Sequence, residues 1–229
     1  MNIIQFFHQS FYSFYIKLWA ERFFKIKEGQ IVIDAGAYLG GFTLYSAKKV
    51  GKTGIVIAFE PDPKNLKILK TIIKKSGLKN IILIKKALGN AVKKVKLESA
   101  DNYSKIVIKT FKNPTVKVKQ TTLDKELKKF GIKKVDFIKM NIEGAETNAI
   151  KGASLILKNT QHVAISCHSV NGKNTEIEVN SLLKKYGFKT KVLKRKILIT
   201  DPGHIDVYGV RNKDQTGPDR PAQQNNGKL

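Results

Sequence analysis

The sequence predicts an α/β fold: a doubly wound, mostly parallel sheet with helices on both faces. Three observations point there. Short β-branched runs alternate with amphipathic stretches through the middle of the chain, and strand–helix–strand order of this kind implies parallel strands joined by right-handed crossovers. A glycine-rich turn, "DAGAYLGG" at 34–41, stands where an apolar run ends and a helical pattern begins. The 229 residues suit one domain with appendages, since domains cluster at roughly 100–200 residues. The expected architecture is Rossmann-like, with an antiparallel C-terminal edge and a small antiparallel insertion.

The N-terminus, "MNIIQFFHQSFYSFYIKLWAERFFKI", spaces Phe7, Phe11, Phe14, Tyr15, Leu18 and Arg22 by threes and fours, which predicts an amphipathic helix within 1–28. Such a helix packs on the following domain or lies on a membrane surface. Gln5, His8, Gln9, Lys17, Glu21 and Arg22 interrupt the roughly 20 apolar residues that a membrane span needs. No basic start or small-residue cleavage site marks a signal peptide.

The main domain, 29–211, opens with the strand "QIVIDAG" (30–36) and a helix over 41–49. "GIVIAFE" (54–60) is the second strand, followed by a helix from Pro63 to Ser76 that Gly77 stops. "NIILIKKAL" (80–88) reads as a third strand. Residues 89–121 then break the rhythm: the alternating runs "VKKVKLES", "KIVIKTF" and "VKVKQT" predict the antiparallel insertion. "VDFIKMN" (135–141) and "HVAISCHS" (162–169) are further strands, separated by a helix over 144–158. A helix over 176–187 ends at Gly187, and "FKTKVLK", "KILIT" and "HIDVYGV" are strand candidates near the end. The tail, 212–229, is polar and contains Pro and Gly, a composition expected to be disordered.

The formal net charge of +25 attracts polyanions through its field. Yet only Arg22, Arg195, Arg211 and Arg220 are arginines, and arginine is the residue expected to read phosphates or bases bidentately. Lysine and isoleucine richness is also a compositional bias, so nucleic acid is an admissible partner and not the favoured one. The single cysteine, Cys167, excludes a disulfide framework and a multi-cysteine zinc site, and fits a reducing, cytoplasmic setting. No metal-ligand set is read from the chain.

In the glycine turn, Gly36 allows a tight bend after Asp34, and Gly40 lets the start of the helix approach a ligand. A dinucleotide loop, G-x-G-x-x-G, needs its middle glycine to admit a pyrophosphate. Tyr38 fills that place. Asp34 before the loop suits a cationic cofactor, and S-adenosylmethionine (SAM), with an ammonium and a sulfonium, is one. Glu60, at the end of the next strand, is placed to accept both ribose hydroxyls.

"VIDAGAYLGGFTLYSA", "VIAFEPDPKNLKILK", "KKALGN", "TLDKEL" and "VDFIKMNIEGAETNAIKGA" resemble the FkbM-type methyltransferases, a branch of the class I SAM-dependent enzymes. The resemblance covers about residues 25–170. It implies that the loop from Asp34 through Gly36, Ala37, Tyr38 and Gly40 to Thr43 holds the methionine part of SAM, and that Glu60 holds the ribose. It also implies that Pro61, Asp62, Ala87 and Leu88 lie near the adenine. The family usually has Asp where this chain has Asn141, which keeps hydrogen bonding and loses charge. The expected acceptor is a hydroxyl on a sugar, a glycoconjugate or another small molecule; RNA is the alternative acceptor, and a non-catalytic module recruited to membrane or RNA the alternative class.

Methyl transfer to a hydroxyl gains from a base, and histidine is suited to it. His168, at the end of its strand and at the family's usual histidine, is the candidate. Asn141 and Glu143 follow the fourth strand as acceptor-side candidates, while Glu146 suits the N-terminal dipole of its helix. Cys167 follows an apolar strand, which disfavours a reactive thiolate. The stretch "NIEG" lacks the Asn/Asp-Pro-Pro-aromatic turn common in methyltransferases acting on base amino groups.

Overall fold

A computed structural model describes residues 19–99, 104–106, 115–170, 172–194 and 205–211. Numbering strands in chain order, the main sheet contains β1 (Ile31–Ala35), β2 (Ile55–Phe59), β3 (Ile81–Ile84), β8 (Val135–Met140), β9 (Thr160–Cys167), β12 (Lys189–Lys194) and β13 (Ile205–Val210). Their order across the sheet is β3-β2-β1-β8-β9-β13-β12. The first five are parallel neighbours, and β13 runs antiparallel between β9 and β12. Strand order reverses between β1 and β8, and in such a sheet the ligand crevice lies beyond the carboxyl ends at that point.

Two apolar layers hold the sheet. On one face Ile33, Ile57, Phe59, Ile138 and Ile165 pack under Leu127 of α3 (Leu123–Lys129), Ile150 of α4 (Glu146–Lys151) and Leu183 of α5 (Glu176–Lys185). On the other, Val32, Val56, Phe137 and Ala164 meet Phe42 and Val50 of α1 (Gly41–Val50), together with Trp19. Burying each such large side chain stabilises by about 1.5–3 kcal/mol. The second helix, α2 (Pro63–Ser76), has the predicted bounds. Asp62 Oδ1 caps it by accepting from Lys64 N at 2.7 Å, Pro63 supplies the preset φ, and Gly77 ends it at φ 70°.

The insertion is a second sheet, ordered β4-β7-β5-β6, made of β4 (Ala87–Leu88), β5 (Lys93–Ser99), β6 (Ser104–Ile106) and β7 (Thr115–Thr121). It shares the carboxyl rim of the main sheet, because β4 follows β3 by two residues and Leu88 belongs to the main core. Glu126 of α3 clamps this junction, accepting from Lys86 Nζ at 2.8 Å, Thr121 Oγ1 at 2.7 Å and Lys129 Nζ at 2.7 Å. A short pair, β10 (Ser169–Val170) with β11 (Lys173–Asn174), follows β9.

Three expectations change. The strand over 80–88 splits in two, because Lys86 N turns back to Ile84 O and Ala87–Leu88 then pair with β7. The helix over 144–158 stops at Lys151, and a 3-10 turn, Ile156–Asn159, follows. Gly152 packs there so closely that a Cβ would stand 2.0 Å from Gly89 O. Residues 21–28 are bend and irregular chain after a helical Trp19–Ala20, and the rest of the N-terminal helix expectation, 1–18, lies outside the described residues. "KILIT" and the tail lie outside them as well.

Candidate active site

The carboxyl ends of β1, β2, β8 and β9 bring the predicted site residues to one rim. Gly36 turns the chain at φ 80°, and its N, like that of Ala37, donates to Phe59 O at 3.0 Å. A side chain at Gly36 is impossible: a Cβ would lie 1.9 Å from Asn141 O. The helix-start glycine, Gly40, sits at φ 87°, and a Cβ there would meet Leu69 at 2.4 Å. Tyr38 and Glu143 are the non-glycine residues with positive φ among the described residues, at 52° and 53°. Backbone strain of this kind collects at ligand-binding turns.

Asp34 sits beneath the loop and does not face a cofactor cation. It is fully buried, accepts from Thr43 Oγ1 at 2.6 Å, and pairs with Lys139 Nζ at 2.8 Å. Lys139, also buried, stands opposite Asp34 in the β1–β8 register and further donates to Gly36 O at 2.7 Å. The expected charge match between Asp34 and a sulfonium or ammonium is therefore replaced by an internal ion pair that fixes the loop's floor. Lysine inside the apolar "VDFIKM" was the available signal, because a lysine on a fully buried strand must have a partner.

Glu60 is 4% exposed and ties the β1 loop to the start of α2. Its Oε2 accepts from Tyr38 N at 2.8 Å, and its Oε1 from Asp62 N at 2.9 Å and Asn65 Nδ2 at 3.3 Å. Burial pushes its carboxyl up to about 7 against these stabilising hydrogen bonds. The Tyr38 phenol is raised too, first by burial and then by Glu60. Pro61 is half-buried beside it. Asp62 is directed to the α2 cap, and Ala87 and Leu88 are buried in β4.

On the acceptor side, His168 is 8% exposed and stands between two carboxylates. Its Nδ1 lies 2.8 Å from Glu146 Oε1, and its Nε2 lies 3.4 Å from Glu143 Oε1. Glu146 is fully buried; Gly144 N donates to its Oε1 at 3.0 Å and Thr175 Oγ1 to its Oε2 at 3.1 Å. A carboxylate in such company only accepts, so Nδ1 carries the proton and the Nε2 lone pair is the basic position. Glu146 therefore orients the histidine from the buried side, which the helix-dipole reading of the sequence missed. The two residues are 22 apart, and no local pattern joins them.

Asn141 donates its N to Ala35 O at 3.0 Å, and its Oδ1 is buried with no hydrogen-bond partner among the described residues. Cys167 is buried, and burial drives its thiol far above the ordinary range, so it is no nucleophile. His162 stacks on Phe24 at 3.9 Å, away from the rim, while His8 and His204 lie outside the described residues. No cluster of three or more His, Cys, Asp or Glu side chains suited to a metal occurs among the described residues.

The residues present fit SAM in two respects. Asn141 Oδ1 is an unsatisfied acceptor of the kind an ammonium would pair. Glu60 is a buried carboxylate at the end of β2, an acceptor for hydroxyl donors of the kind a ribose carries. The mostly parallel sheet with its reversal at β1 and β8, the glycine turn and the terminal acid of β2 define the class of the SAM-dependent methyltransferases. Within it, a model of the methyltransferase FkbM domain matches residues 34–190, and the chain belongs to that family. The fold is also that of an FkbM methyltransferase from Methylobacillus flagellatus KT, with TM-score 0.59 and 18% identity over 82% of this chain and 45% of the other. The fibrillarin of Aeropyrum pernix, solved with natively bound S-adenosyl-L-methionine, superposes with TM-score 0.55 at 13% identity, covering 87% of this chain and 74% of that one. In sequence, a ribosomal RNA large subunit methyltransferase E from Wigglesworthia glossinidia brevipalpis is 41% identical over 66 residues, 27% of this chain and 32% of the relative. The chain thus spans about a third of that curated relative and less than half of the FkbM structure.

Proposed function

We propose that the protein methylates a hydroxyl group of a sugar, glycoconjugate or other small acceptor, using SAM. The observation that carries this reading is the Glu146–His168 contact at 2.8 Å, buried at the carboxyl end of β9. Bound SAM would supply an electrophilic methyl on a sulfonium. Glu60 would hold the ribose hydroxyls, Asn141 Oδ1 the ammonium, and Gly36 and Gly40 would let the backbone come close. His168 Nε2 takes the proton of the acceptor hydroxyl as it attacks. Glu146 fixes the tautomer through Nδ1, and Glu143, 3.4 Å from Nε2, stabilises the imidazolium that results.

An RNA acceptor is the second reading, favoured by the net charge of +25 and by the name of the Wigglesworthia relative. The test is transfer of labelled methyl from SAM to pools of sugars, glycans and tRNA. Against the acceptor that is labelled, His168→Asn and Glu146→Gln should each lower turnover by about 10²–10⁴, the usual range for a general base and its tautomer partner. Affinity for S-adenosylhomocysteine should stay unchanged. Full turnover in both variants would remove His168 as the base. Cytoplasmic location remains part of the same reading; among the described residues no helix is long and apolar enough to cross a membrane.

A further inference from the structure

The insertion sheet presents a face made of lysines. β5 and β7 pair antiparallel with Lys94 opposite Lys119 and Lys96 opposite Lys117, and directly opposed residues share a face. All four are exposed. Val95, Leu97, Val116 and Val118 turn to the other side and pack with Ala87. Opposed Cβ atoms lie about 4.5–5.5 Å apart, and successive rows repeat at about 6.8 Å along the strands. Like charges directly opposite one another destabilise a sheet. Glu98 continues the row, is 1% exposed and stands opposite Lys105 of β6.

We infer that this face is a docking surface for the phosphate backbone of single-stranded RNA. A row of ammonium groups offers point charges with no fixed fork, which neutralise phosphates without reading sequence. A membrane-binding surface would pair its lysines with exposed apolar anchors. Here the apolar residues of both strands are turned inward. The sheet is joined to the main sheet through β4, which follows β3 by two residues. The inference concerns binding, and stands whether or not the methyl acceptor is RNA.

The test is fluorescence anisotropy of a short mixed-sequence RNA oligonucleotide with the full chain, titrated without cofactor across about 50–200 mM salt. Each phosphate contact contributes about 0.7 to the slope of log affinity against log salt for a single strand, so Lys94→Gln, Lys96→Gln, Lys117→Gln and Lys119→Gln combined should lower the slope by up to about 3 and weaken binding about tenfold or more. A control variant removes the same charge from the exposed side of α2: Lys67→Gln, Lys70→Gln, Lys74→Gln and Lys75→Gln. It should retain nearly all of the affinity. Equal losses in both variants would mean that only net charge matters and would overturn the proposal, as would an unchanged slope in the sheet variant. Binding of phosphatidylserine vesicles through these four lysines, with RNA affinity unaffected by their removal, would overturn it in favour of a membrane. Retained S-adenosylhomocysteine binding and an unchanged or raised Tm in the sheet variant show that it folds.

Discussion

At the scale of single residues, the proposed ribose contact of Glu60 predicts a pH dependence of ligand binding. Its folded-state carboxyl lies near 7, raised from 4.5 by burial. The sign follows from that direction. The protonated form is the one burial favours, so this group's contribution to stability is full below about 4.5 and is lost as pH rises through about 7. Ribose hydroxyls donate to the ionised form, so binding favours proton release, and affinity for S-adenosylhomocysteine should rise about tenfold from pH 6 to pH 8, then level. Calorimetric titration across that range checks it, and Glu60→Gln should flatten the profile; a flat profile in the parent chain would show that Glu60 does not contact the ligand. Glu60 was legible in the sequence because it ends an apolar run next to "PDP". Asp34 was legible as the acid before the glycine turn, but its partner was not: Lys139 is 105 positions away, joined to it only by the register of β1 against β8. Glu146, at the start of α4, and His168, just past the end of β9, are likewise joined only by the fold.

At the scale of elements, local signals gave the right bounds wherever a cap was written into the chain. The run from Asp62 and Pro63 to Gly77 is such a case, and α2 has those ends. The helix read over 144–158 failed because its apolar spacing continues past the point where tertiary contact ends it. Gly152 is needed there for space and not for backbone freedom. Its φ is −83°, ordinary for any residue, yet a Cβ would stand 2.0 Å from Gly89 O and 3.2 Å from Thr122 Cβ. Gly152→Ala should therefore push the insertion away from α4 and cost about 1–3 kcal/mol, the range for overpacking. Gly131 makes the comparison sharp: it has φ 66° and open space around its Cα, so Gly131→Ala carries only the left-handed penalty of about 1–2 kcal/mol. Urea midpoints measure both losses. The two differ in a second observable, because only Gly152→Ala should also lower methyl transfer by shifting the rim that carries Glu146 and β4. A Gly152→Ala protein with the parent's midpoint would show that the two backbones part at little cost.

At the scale of the whole molecule, 43 basic against 18 acidic residues leave the fold repelling itself. Local relief exists where pairs are buried, as at Asp34–Lys139, and where one acid serves several lysines, as at Glu126. On β5 and β7 lysine faces lysine in two successive rows. Composition alone could not separate a habitat bias from a functional field, because both give the same count; only register showed where the charge converges. Self-repulsion falls as counterions screen it, with the Debye length shrinking from about 30 Å at 0.01 M salt to about 8 Å at 0.15 M. Tm should therefore rise over that range in sodium chloride, the reverse of a protein held together by surface ion pairs, which salt weakens. The combined Gln substitutions at Lys94, Lys96, Lys117 and Lys119 should shrink this rise, because they remove two directly opposed like-charge pairs outside the main sheet. A Tm that falls with salt in the parent chain would mean that pairs such as Lys86–Glu126 and Lys151–Glu178 outweigh the net charge. In that case the lysine face would be a tolerated by-product of composition, and the salt dependence of RNA binding would have to come from elsewhere on the surface.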